Sequence, residues 1–216
     1  MNSKRLLAIA FFVEKDDVVA DIGCDHAYLD IYLIQNNLCK KTIASDISEG
    51  AINQARINIE KYNLTNKIPT VVSNGLENIP DDINTVVLSG MGTNTILEIL
   101  NNPKTNNIDK FIIQSNNNLV ELRCKMNKRK YKIIQEKVVL DGGKYYTIIL
   151  FKHGEEKLNK ITKLLGIYSS ENQAYYDYLY NKNLAVLKRI PWFKTKKTIS
   201  ILCLLKSIKK YQKMID

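Results

Sequence analysis

Short apolar runs alternate with segments of helical spacing along the first 153 residues, and this alternation limits the chain to few folds. The runs predicted as strands are Asp17–Ile22, Lys41–Asp46, Ile68–Val72, Thr85–Leu88 and Phe111–Gln114. The segments predicted as helices are Lys4–Val13, Tyr28–Asn37, Ser48–Tyr62, Thr93–Leu100 and Leu119–Lys128. Strands that alternate with helices form a parallel sheet with helices on both faces. We therefore predict an α/β fold.

The last strand-like segments predict a β-hairpin. Tyr131–Leu140 and Tyr145–Phe151 flank the sequence Asp141-Gly142-Gly143. A short turn of this composition between two apolar runs is a strong hairpin signal. The expected sheet is therefore parallel with a terminal antiparallel hairpin.

The pattern changes after residue 153, because no further strand-like run follows. The remaining segments with helical spacing are Glu155–Tyr168, Asn172–Ile190 and Thr198–Ile215. Pro191 separates the last two, and an antiparallel helical pair would bury their apolar stripes together. These stripes consist of Tyr175, Leu179, Val186, Ile201, Leu205, Ile208 and Ile215. We predict a sheet domain over residues 1–153 and a helical, coiled-coil-like domain over residues 154–216.

Several classes of protein are disfavoured by what the sequence lacks. The longest apolar runs, Leu6–Val13 and Ile201–Leu205, are far shorter than the roughly 20 residues that cross a bilayer, so we expect no membrane span. The first of these runs has no cleavage site of small residues and is followed at once by charged residues, which favours a cytoplasmic protein. The four cysteines form no Cys-x-x-Cys pair and the chain has 2 histidines, so we expect no metal site.

Positive charge is concentrated in the last third of the chain. The formal net charge is +10 from 32 Lys and Arg and 22 Asp and Glu. Residues 1–151 contain 18 basic and 17 acidic residues, whereas residues 152–216 contain 14 and 5. A basic surface beside a neutral domain favours a polyanionic partner such as a nucleic acid. The alternative is a solvated helical surface in a lysine-rich chain.

The two acids that end the first two strands indicate a ligand site. Asp21 precedes Gly23, which turns the chain into the next helix, and Asp46 ends the second strand. Ligands of open α/β sheets bind at the carboxyl ends of strands, where Asp46 can accept both hydroxyls of a ribose. The G-x-G-x-x-G pattern of dinucleotide sites is absent, since Asp25 and Tyr28 occupy its later positions. Acids next to the loop favour the cationic methyl donor S-adenosylmethionine over a pyrophosphate. A structural turn without a ligand is the remaining alternative.

Two further loops would complete the pocket. Asn74-Gly75-Leu76 follows the third strand, where a polar side chain can meet an adenine amine. Ser89-Gly90-Met91-Gly92 follows the fourth strand, and its glycines permit the close approach of a flat substrate. Enzymes that methylate an exocyclic amine usually have Asn or Asp followed by two prolines at this loop. Because that tetrapeptide is absent, a ring nitrogen is the favoured acceptor.

These residues also give the chain a family resemblance. The relevant segments are ADIGCDHAYLD (Ala20–Asp30), Asp46, Asn74-Gly75, SGMGT (Ser89–Thr93) and IIQSNNN (Ile112–Asn118). Together they resemble the bacterial tRNA (adenine-22-N1)-methyltransferases along the whole chain. The resemblance implies a Rossmann-like methyltransferase domain followed by a coiled-coil-like domain. It also implies S-adenosylmethionine as the donor and N1 of adenine 22, in the D-arm region of tRNA, as the acceptor.

Residue roles follow from the loops and the resemblance together. We expect the donor to be bound by Asp21, Gly23, Cys24, Asp46, Ile47, Asn74, Gly75, Leu76, Ser89 and Gly90. We expect the RNA to be contacted by Arg5, Met91, Gly92, Gln114 and Asn116. Asp25 is the candidate group for stabilising the cationic methylated base, and His26 and Tyr28 are candidates for shaping the pocket.

The sequence departs from the family pattern at three positions. Asp30 stands where a proline is usual, Asn74 where an acid is usual, and Thr93 where a third glycine is usual. The departures at Asn74 and Thr93 leave open a non-catalytic RNA-binding protein with a decayed pocket. A second alternative, independent of them, is a methyltransferase that acts on another RNA, a small molecule or a protein. A monomer is the favoured oligomeric state.

Overall fold

The computed structural model describes residues 3–191 and 195–213. The strands are β1 (Val18–Ile22), β2 (Lys41–Asp46), β3 (Thr70–Val72), β4 (Thr85–Met91), β5 (Lys110–Ser115), β6 (Tyr131–Asp141) and β7 (Lys144–His153). The helices are α1 (Lys4–Ala10), α2 (Tyr28–Gln35), α3 (Glu49–Lys61), α4 (Thr93–Ile99), α5 (Leu119–Lys128), α6 (Lys160–Leu165), α7 (Gln173–Arg189) and α8 (Thr195–Gln212). Short 3₁₀ turns occupy Pro103–Asn107 and Ser170–Asn172.

The seven strands form one sheet in the order β3-β2-β1-β4-β5-β7-β6. Strands β1 to β5 are parallel, and β7 enters antiparallel between β5 and β6. The predicted α/β fold with a terminal antiparallel hairpin is confirmed. The chain order reverses on either side of β1, between β2 and β4, which is where open α/β sheets bind ligands.

Both faces of the sheet are buried, which explains why the strands are apolar on both sides. Val19, Val87 and Ile112 pack under the helices on one face, α1 and α2, with α3 beside them. Alternate positions such as Ile22 and Leu88 pack under α4 and α5 on the other face. The helix predicted from Ser48 begins there, because the Ser48 side chain accepts a hydrogen bond from the backbone N–H of Ala51.

The helical part differs from its prediction at its beginning. Helix α6 covers only Lys160–Leu165, whereas the sequence pattern predicted Glu155–Tyr168. The segment before α6 is bound to the sheet, because the Glu156 carboxylate accepts a 2.6 Å hydrogen bond from the backbone N–H of Ile133 in β6. The Asn159 side chain then caps α6 by accepting from two backbone N–H groups.

Helices α7 and α8 pack as an antiparallel pair. Near the start of α7, the Asp177 carboxylate accepts a 2.7 Å hydrogen bond from Gln212 at the end of α8. Tyr176 and Tyr211 are buried beside it with ring centroids 5.5 Å apart. Of the predicted stripes, Ile201, Leu205 and Ile208 are buried. Tyr175 and Leu179 pack against the cluster that contains Ile208, Tyr176 and Tyr211. Val186 is exposed, contrary to its prediction, and Ile215 lies outside the described residues.

A buried ion pair attaches the helical part to the sheet. Arg123 of α5 and Glu136 of β6 are both almost fully buried, and Nε and Nη2 of the arginine donate to the two carboxylate oxygens at 2.8 Å each. The remaining Nη1 of Arg123 donates to the carbonyl oxygens of Lys163 and Leu164 in α6.

Of the helices over residues 3–191 and 195–213, none is both long enough and apolar enough to span a bilayer.

Candidate active site

A cavity of about 750 Å³ opens at the carboxyl ends of β1, β2, β3 and β4. Its lining residues come from α1, the loops after these strands, and α4: Arg5, Ile22, Gly23, Asp25, Asp46, Ile47, Ser73, Asn74, Gly75, Glu77, Ser89, Gly90, Met91, Thr95, Glu98, Ile99 and Asn102. The cavity therefore lies at the reversal of strand order, where the sequence placed a ligand.

The loop after β1 is folded unusually tightly. Gly23, Asp25 and Ala27 all have positive φ angles, of 78°, 52° and 54°. The backbone N–H groups of Gly23 and Cys24 both donate to the carbonyl oxygen of Ser45, which fixes the loop to β2. Left-handed backbone at a non-glycine residue costs roughly 1–2 kcal/mol and is concentrated at functional sites. The loop presents Gly23 and Asp25 to the cavity.

Asp46 is oriented by the loops on both sides of it. Its Oδ1 accepts from the backbone N–H of Ser48 at 2.9 Å, and its Oδ2 accepts from that of Asp25 at 3.4 Å. One carboxylate thus joins the end of β2 to the loop after β1 and also lines the cavity. A carboxylate held at the end of β2 can accept the two hydroxyls of a ribose.

A second pair of acids, Asp21 and Asp30, is buried and does not line the main cavity. Asp30 is fully buried and Asp21 is 6% exposed. Burial, followed by the nearby charge of Asp30, raises the pKa of Asp21 well above its usual range. Burial also raises the pKa of Asp30 to about 6, although hydrogen bonds from Thr42 and from Asp21 oppose the shift. We infer that Asp21 is the protonated partner and donates to Asp30, so the pair holds one proton and one charge at neutral pH.

Gly90 shapes the end of β4. The register between β4 and β5 shifts between Ser89 and Met91, and Gly90 has a φ of 83°. This bulge requires glycine, because a side chain at that φ would be strained and its Cβ would lie 3.3 Å from Nη1 of Arg5.

Gln114 and Asn116 hold this bulge from the neighbouring strand. Oε1 of Gln114 accepts from the backbone N–H of Gly90 and from Oγ of Ser89, at 3.1 and 3.3 Å. Nδ2 of Asn116 donates to the carbonyl oxygen of Gly90 at 2.6 Å. Gln114 is 1% exposed. Asn116, in contrast, is exposed. Both amides hold the bulge, and their contact with RNA stays a prediction.

Thr93 and Asn74, two of the departures from the family pattern, leave the cavity intact. Oγ of buried Thr93 is within 2.9 Å of Oγ of Ser115 and donates to the carbonyl oxygen of Asn117, which joins the loops after β4 and β5. Nδ2 of Asn74 donates to Oε1 of Glu77 at 2.9 Å. Glu77 therefore places a carboxylate beside the position where the family has an acid.

A smaller recess continues the cavity past Arg5 and Asp25. Both residues line it, together with His26 and Tyr28. The two rings stack with centroids 5.5 Å apart, and Nε2 of His26 lies 3.4 Å from Oδ2 of Asp25. Nη1 of Arg5 donates to Gln114, and its guanidinium lies over the Tyr146 ring. Asp25, His26 and Tyr28, the three candidates for a role in catalysis, are thus neighbours in this recess.

The structure brings most predicted site residues to one place. Asp21 and Cys24 line only the smaller recess, and the Leu76 side chain is buried in the core. Gly92 is the N-cap of α4 and does not line the cavity. The lining residues that sequence reasoning missed are Ile22, Ser73, Glu77, Thr95, Glu98, Ile99 and Asn102. Helical spacing could have found Thr95, Glu98 and Asn102, which recur at three- and four-residue intervals.

The residues of the cavity fit S-adenosylmethionine. Four carboxylates, those of Asp25, Asp46, Glu77 and Glu98, line it and match a ligand that has an ammonium and a sulfonium group but no phosphate. In the described residues, no group of three or more His, Cys, Asp or Glu could hold a metal ion.

Comparison with known proteins gives the family. Residues 2–149 match the family model described as a methyltransferase domain. A Mycoplasma genitalium protein provisionally named a tRNA methyltransferase is 37% identical over 166 residues, 74% of this chain and 72% of its own length. The tRNA (adenine(22)-N(1))-methyltransferase of Bacillus subtilis is 32% identical over 71% of this chain and 66% of its own. The structure of M. capricolum TrmK with S-adenosyl-homocysteine is 32% identical, covers 100% of both chains and superposes with a TM-score of 0.85.

The chain belongs to the tRNA (adenine-N1)-methyltransferase family. The full-length match to the M. capricolum structure includes the helical part as well as the sheet. The predicted resemblance, fold and class of enzyme are confirmed. The family therefore explains both the cavity at the strand reversal and the pair of helices that follows the sheet.

Proposed function

We propose that the chain transfers the methyl group of S-adenosylmethionine to N1 of adenine 22 in tRNA. The observation that supports this most directly is the cavity itself, because Asp46 at the end of β2 and the bulged end of β4 both line it. The first position suits the nucleoside of the donor and the second suits a flat acceptor base. The named activity of the Bacillus subtilis relative supplies the acceptor atom and its position in tRNA.

The donor half of the site is proposed to comprise the loops after β1, β2 and β3. Asp46 would accept the ribose hydroxyls, and Gly23 would let the backbone approach the amino-acid part of the donor. Asn74 and Gly75, with Glu77 beside them, would surround the adenine. Asp21 and Asp30 would contribute indirectly, by holding the loop after β1 in its conformation.

The acceptor half is proposed to comprise Ser89–Met91, Asp25 and the His26–Tyr28 pair. N1 of adenine lies on the Watson–Crick edge, so the base must be unpaired or extruded before it can enter. Buried Gln114 would then position the bulge at Gly90 against the base, and exposed Asn116 would hold the same bulge while it remains accessible to the RNA.

The chemistry requires positioning more than activation. S-adenosylmethionine supplies a methyl group on a sulfonium, and the lone pair of N1 takes that group as the carbon–sulfur bond breaks. Holding N1 in line with that bond accounts for most of the acceleration expected here. The methylated base is cationic, so the Asp25 carboxylate would stabilise the developing charge and accept a proton from the exocyclic amine.

The basic helical part is proposed to bind the tRNA backbone. Helix α8 exposes Lys206, Lys209 and Lys210, and Lys213 follows at its end. Such side chains exchange counterions for phosphates without reading sequence. A monomer in the cytoplasm, acting on free tRNA, is part of the same proposal.

The direct test is methyl transfer from tritiated S-adenosylmethionine to bulk tRNA that lacks the modification, followed by nucleoside analysis. We expect 1-methyladenosine, mapped to position 22. A tRNA with adenine 22 replaced by guanine is the matched control and should accept no label. Label in another nucleoside would contradict the proposed acceptor, and absence of label would contradict the activity.

A further inference from the structure

A second concave surface lies beside the recess that contains His26 and Tyr28. It measures about 270 Å³ and lies between the start of α1, α2 and the end of α3. Its walls include Leu6, Tyr28, Tyr32, Gln35 and Tyr62, and we call it the tyrosine cleft. Tyr28 and Tyr62 are 47% and 44% exposed, so their rings face solvent rather than the core.

The tyrosine cleft adjoins the proposed acceptor site. Leu6 and Tyr28 line both the cleft and the recess, and the recess shares Arg5 and Asp25 with the main cavity. A nucleotide that adjoins a target adenine in the main cavity is therefore a natural occupant of this surface.

The chemistry of the cleft suits a nucleobase. Its described lining contains three tyrosines and no acidic side chain, unlike the donor cavity. Aromatic rings stack on any base, and the amide of Gln35 can hydrogen-bond to a base edge. Exposed Lys4 and Lys61 flank the cleft in sequence, next to Ser3 and Tyr62, and supply positive charge for the adjoining phosphates.

We propose that the tyrosine cleft binds an unstacked base of the substrate RNA next to the target adenine, with Tyr62 as a stacking wall. This inference rests on the proposed function, since the target adenine defines which base is adjacent. Occupation of the cleft would keep the target base from returning to its own stack, because its neighbour is already displaced. The cleft thus contributes to substrate binding and not to donor binding.

The test compares Tyr62→Leu, which removes the ring, with Tyr62→Phe, which keeps it. We expect Tyr62→Leu to raise the KM for tRNA by about tenfold and Tyr62→Phe to leave it nearly unchanged, since stacking needs only the ring. Donor affinity should be the same in both variants. Ile57→Ala, which removes another exposed apolar side chain from α3, is the control and should behave as wild type.

A binding measurement gives a readout that a merely structural role would not change. Fluorescent 2-aminopurine is placed at each nucleotide that adjoins adenine 22, and its quenching is followed as the full-length protein binds. Quenching at one of these positions that is retained in Tyr62→Phe and lost in Tyr62→Leu supports the inference. If wild type transfers methyl groups normally but Tyr62→Leu matches Tyr62→Phe in KM and in quenching, the cleft assignment is wrong and the proposed function stands. If wild type transfers none, both fall together.

Discussion

At the residue scale, the conformation of Asp25 decides which substitutions test its role. Its φ of 52° is tolerated by Asn and Asp more readily than by most residues. Asp25→Asn therefore keeps the backbone preference and the size while it removes the charge. If Asp25 stabilises the cationic base, this variant should lower kcat by ~100-fold with donor binding retained. The measurement is steady-state methyl transfer, with Asp16→Asn as control, and near-normal turnover in Asp25→Asn would exclude the assignment.

Asp46 has a different role and a different expected signature. Loss of a carboxylate that hydrogen-bonds a ligand costs about 1.5–3 kcal/mol, so Asp46→Ala should weaken S-adenosylmethionine binding by roughly 10- to 100-fold. Calorimetry measures this affinity directly. Because Asp46 also accepts from the backbone of Ser48 and Asp25, the thermal midpoint must be checked in parallel. Glu60→Ala, at an exposed position on α3, is the control. Unchanged affinity in a folded Asp46→Ala protein would rule out the ribose contact.

The buried acids predict a dependence of stability on pH. Burial raises the pKa of Asp30 to about 6, whereas an unfolded Asp titrates near 3.9. Between these values the folded chain binds more protons than the unfolded chain, so the free energy of unfolding falls as pH rises. Asp30→Asn removes this loss and keeps an acceptor for the Thr42 hydroxyl. We expect the variant to gain on the order of 2–3 kcal/mol relative to wild type between pH 4 and pH 7. Parallel curves from denaturant titrations would contradict the shift.

Residue spacing predicted many residues of the donor site, but it did not predict the hydrogen bonds that hold the surrounding loops in place. Asp46, Gly23 and Gly90 were identified because acids and glycines at strand ends have few other uses. The hydrogen bonds from Gln114 and Asn116 to the bulge at Gly90 were not predicted. A polar segment after a strand has the same sequence pattern whether it faces a ligand or holds a neighbouring bulge. Only the register of β4 against β5 distinguishes the two.

At the element scale, the strands were predicted more accurately than the helices after residue 153. Strand β2 has its predicted bounds, since its four central residues, Thr42–Ser45, are β-branched or small and are all buried in the sheet. The pattern over Glu155–Tyr168 contained a helix of only six residues, since Glu156 is used by the backbone of β6 and Gly166 ends α6. Such long-range polar contacts leave no periodic signal in the sequence.

The Arg123–Glu136 pair predicts how strongly the helical part is attached. Removing one partner of a buried pair leaves an uncompensated charge, so Arg123→Met should cost about 3–5 kcal/mol in denaturant unfolding. The double variant Arg123→Met with Glu136→Leu should recover part of this loss, because neither charge remains. Lys130→Ala, which breaks an exposed pair with Glu155, is the control and should cost little. A double variant less stable than Arg123→Met would contradict this account.

At the scale of the whole molecule, the two ends of the sheet have different surroundings. The cavity lies at the carboxyl ends of the parallel strands, whereas Lys15, Lys40 and Lys67 precede β1, β2 and β3 at the opposite edge. Charge alone predicts a polyanion partner but not which lysines face it. Because a phosphate contact changes the salt dependence of tRNA binding, that dependence can distinguish these three lysines from the lysines of the helical part.

Replacing Lys206, Lys210 and Lys213 by Gln should weaken tRNA binding and reduce its dependence on salt. These lysines are exposed at three- and four-residue intervals, so they share one face at the end of the chain. Each lost phosphate contact lowers the slope of log K against log salt by roughly 0.7–0.9, so three contacts lower it by about 2–3. The same substitutions at Lys15, Lys40 and Lys67 remove equal charge from the edge opposite the cavity. If both triple variants lose the same slope, the attraction depends on net charge and the helical surface is not the RNA-binding face.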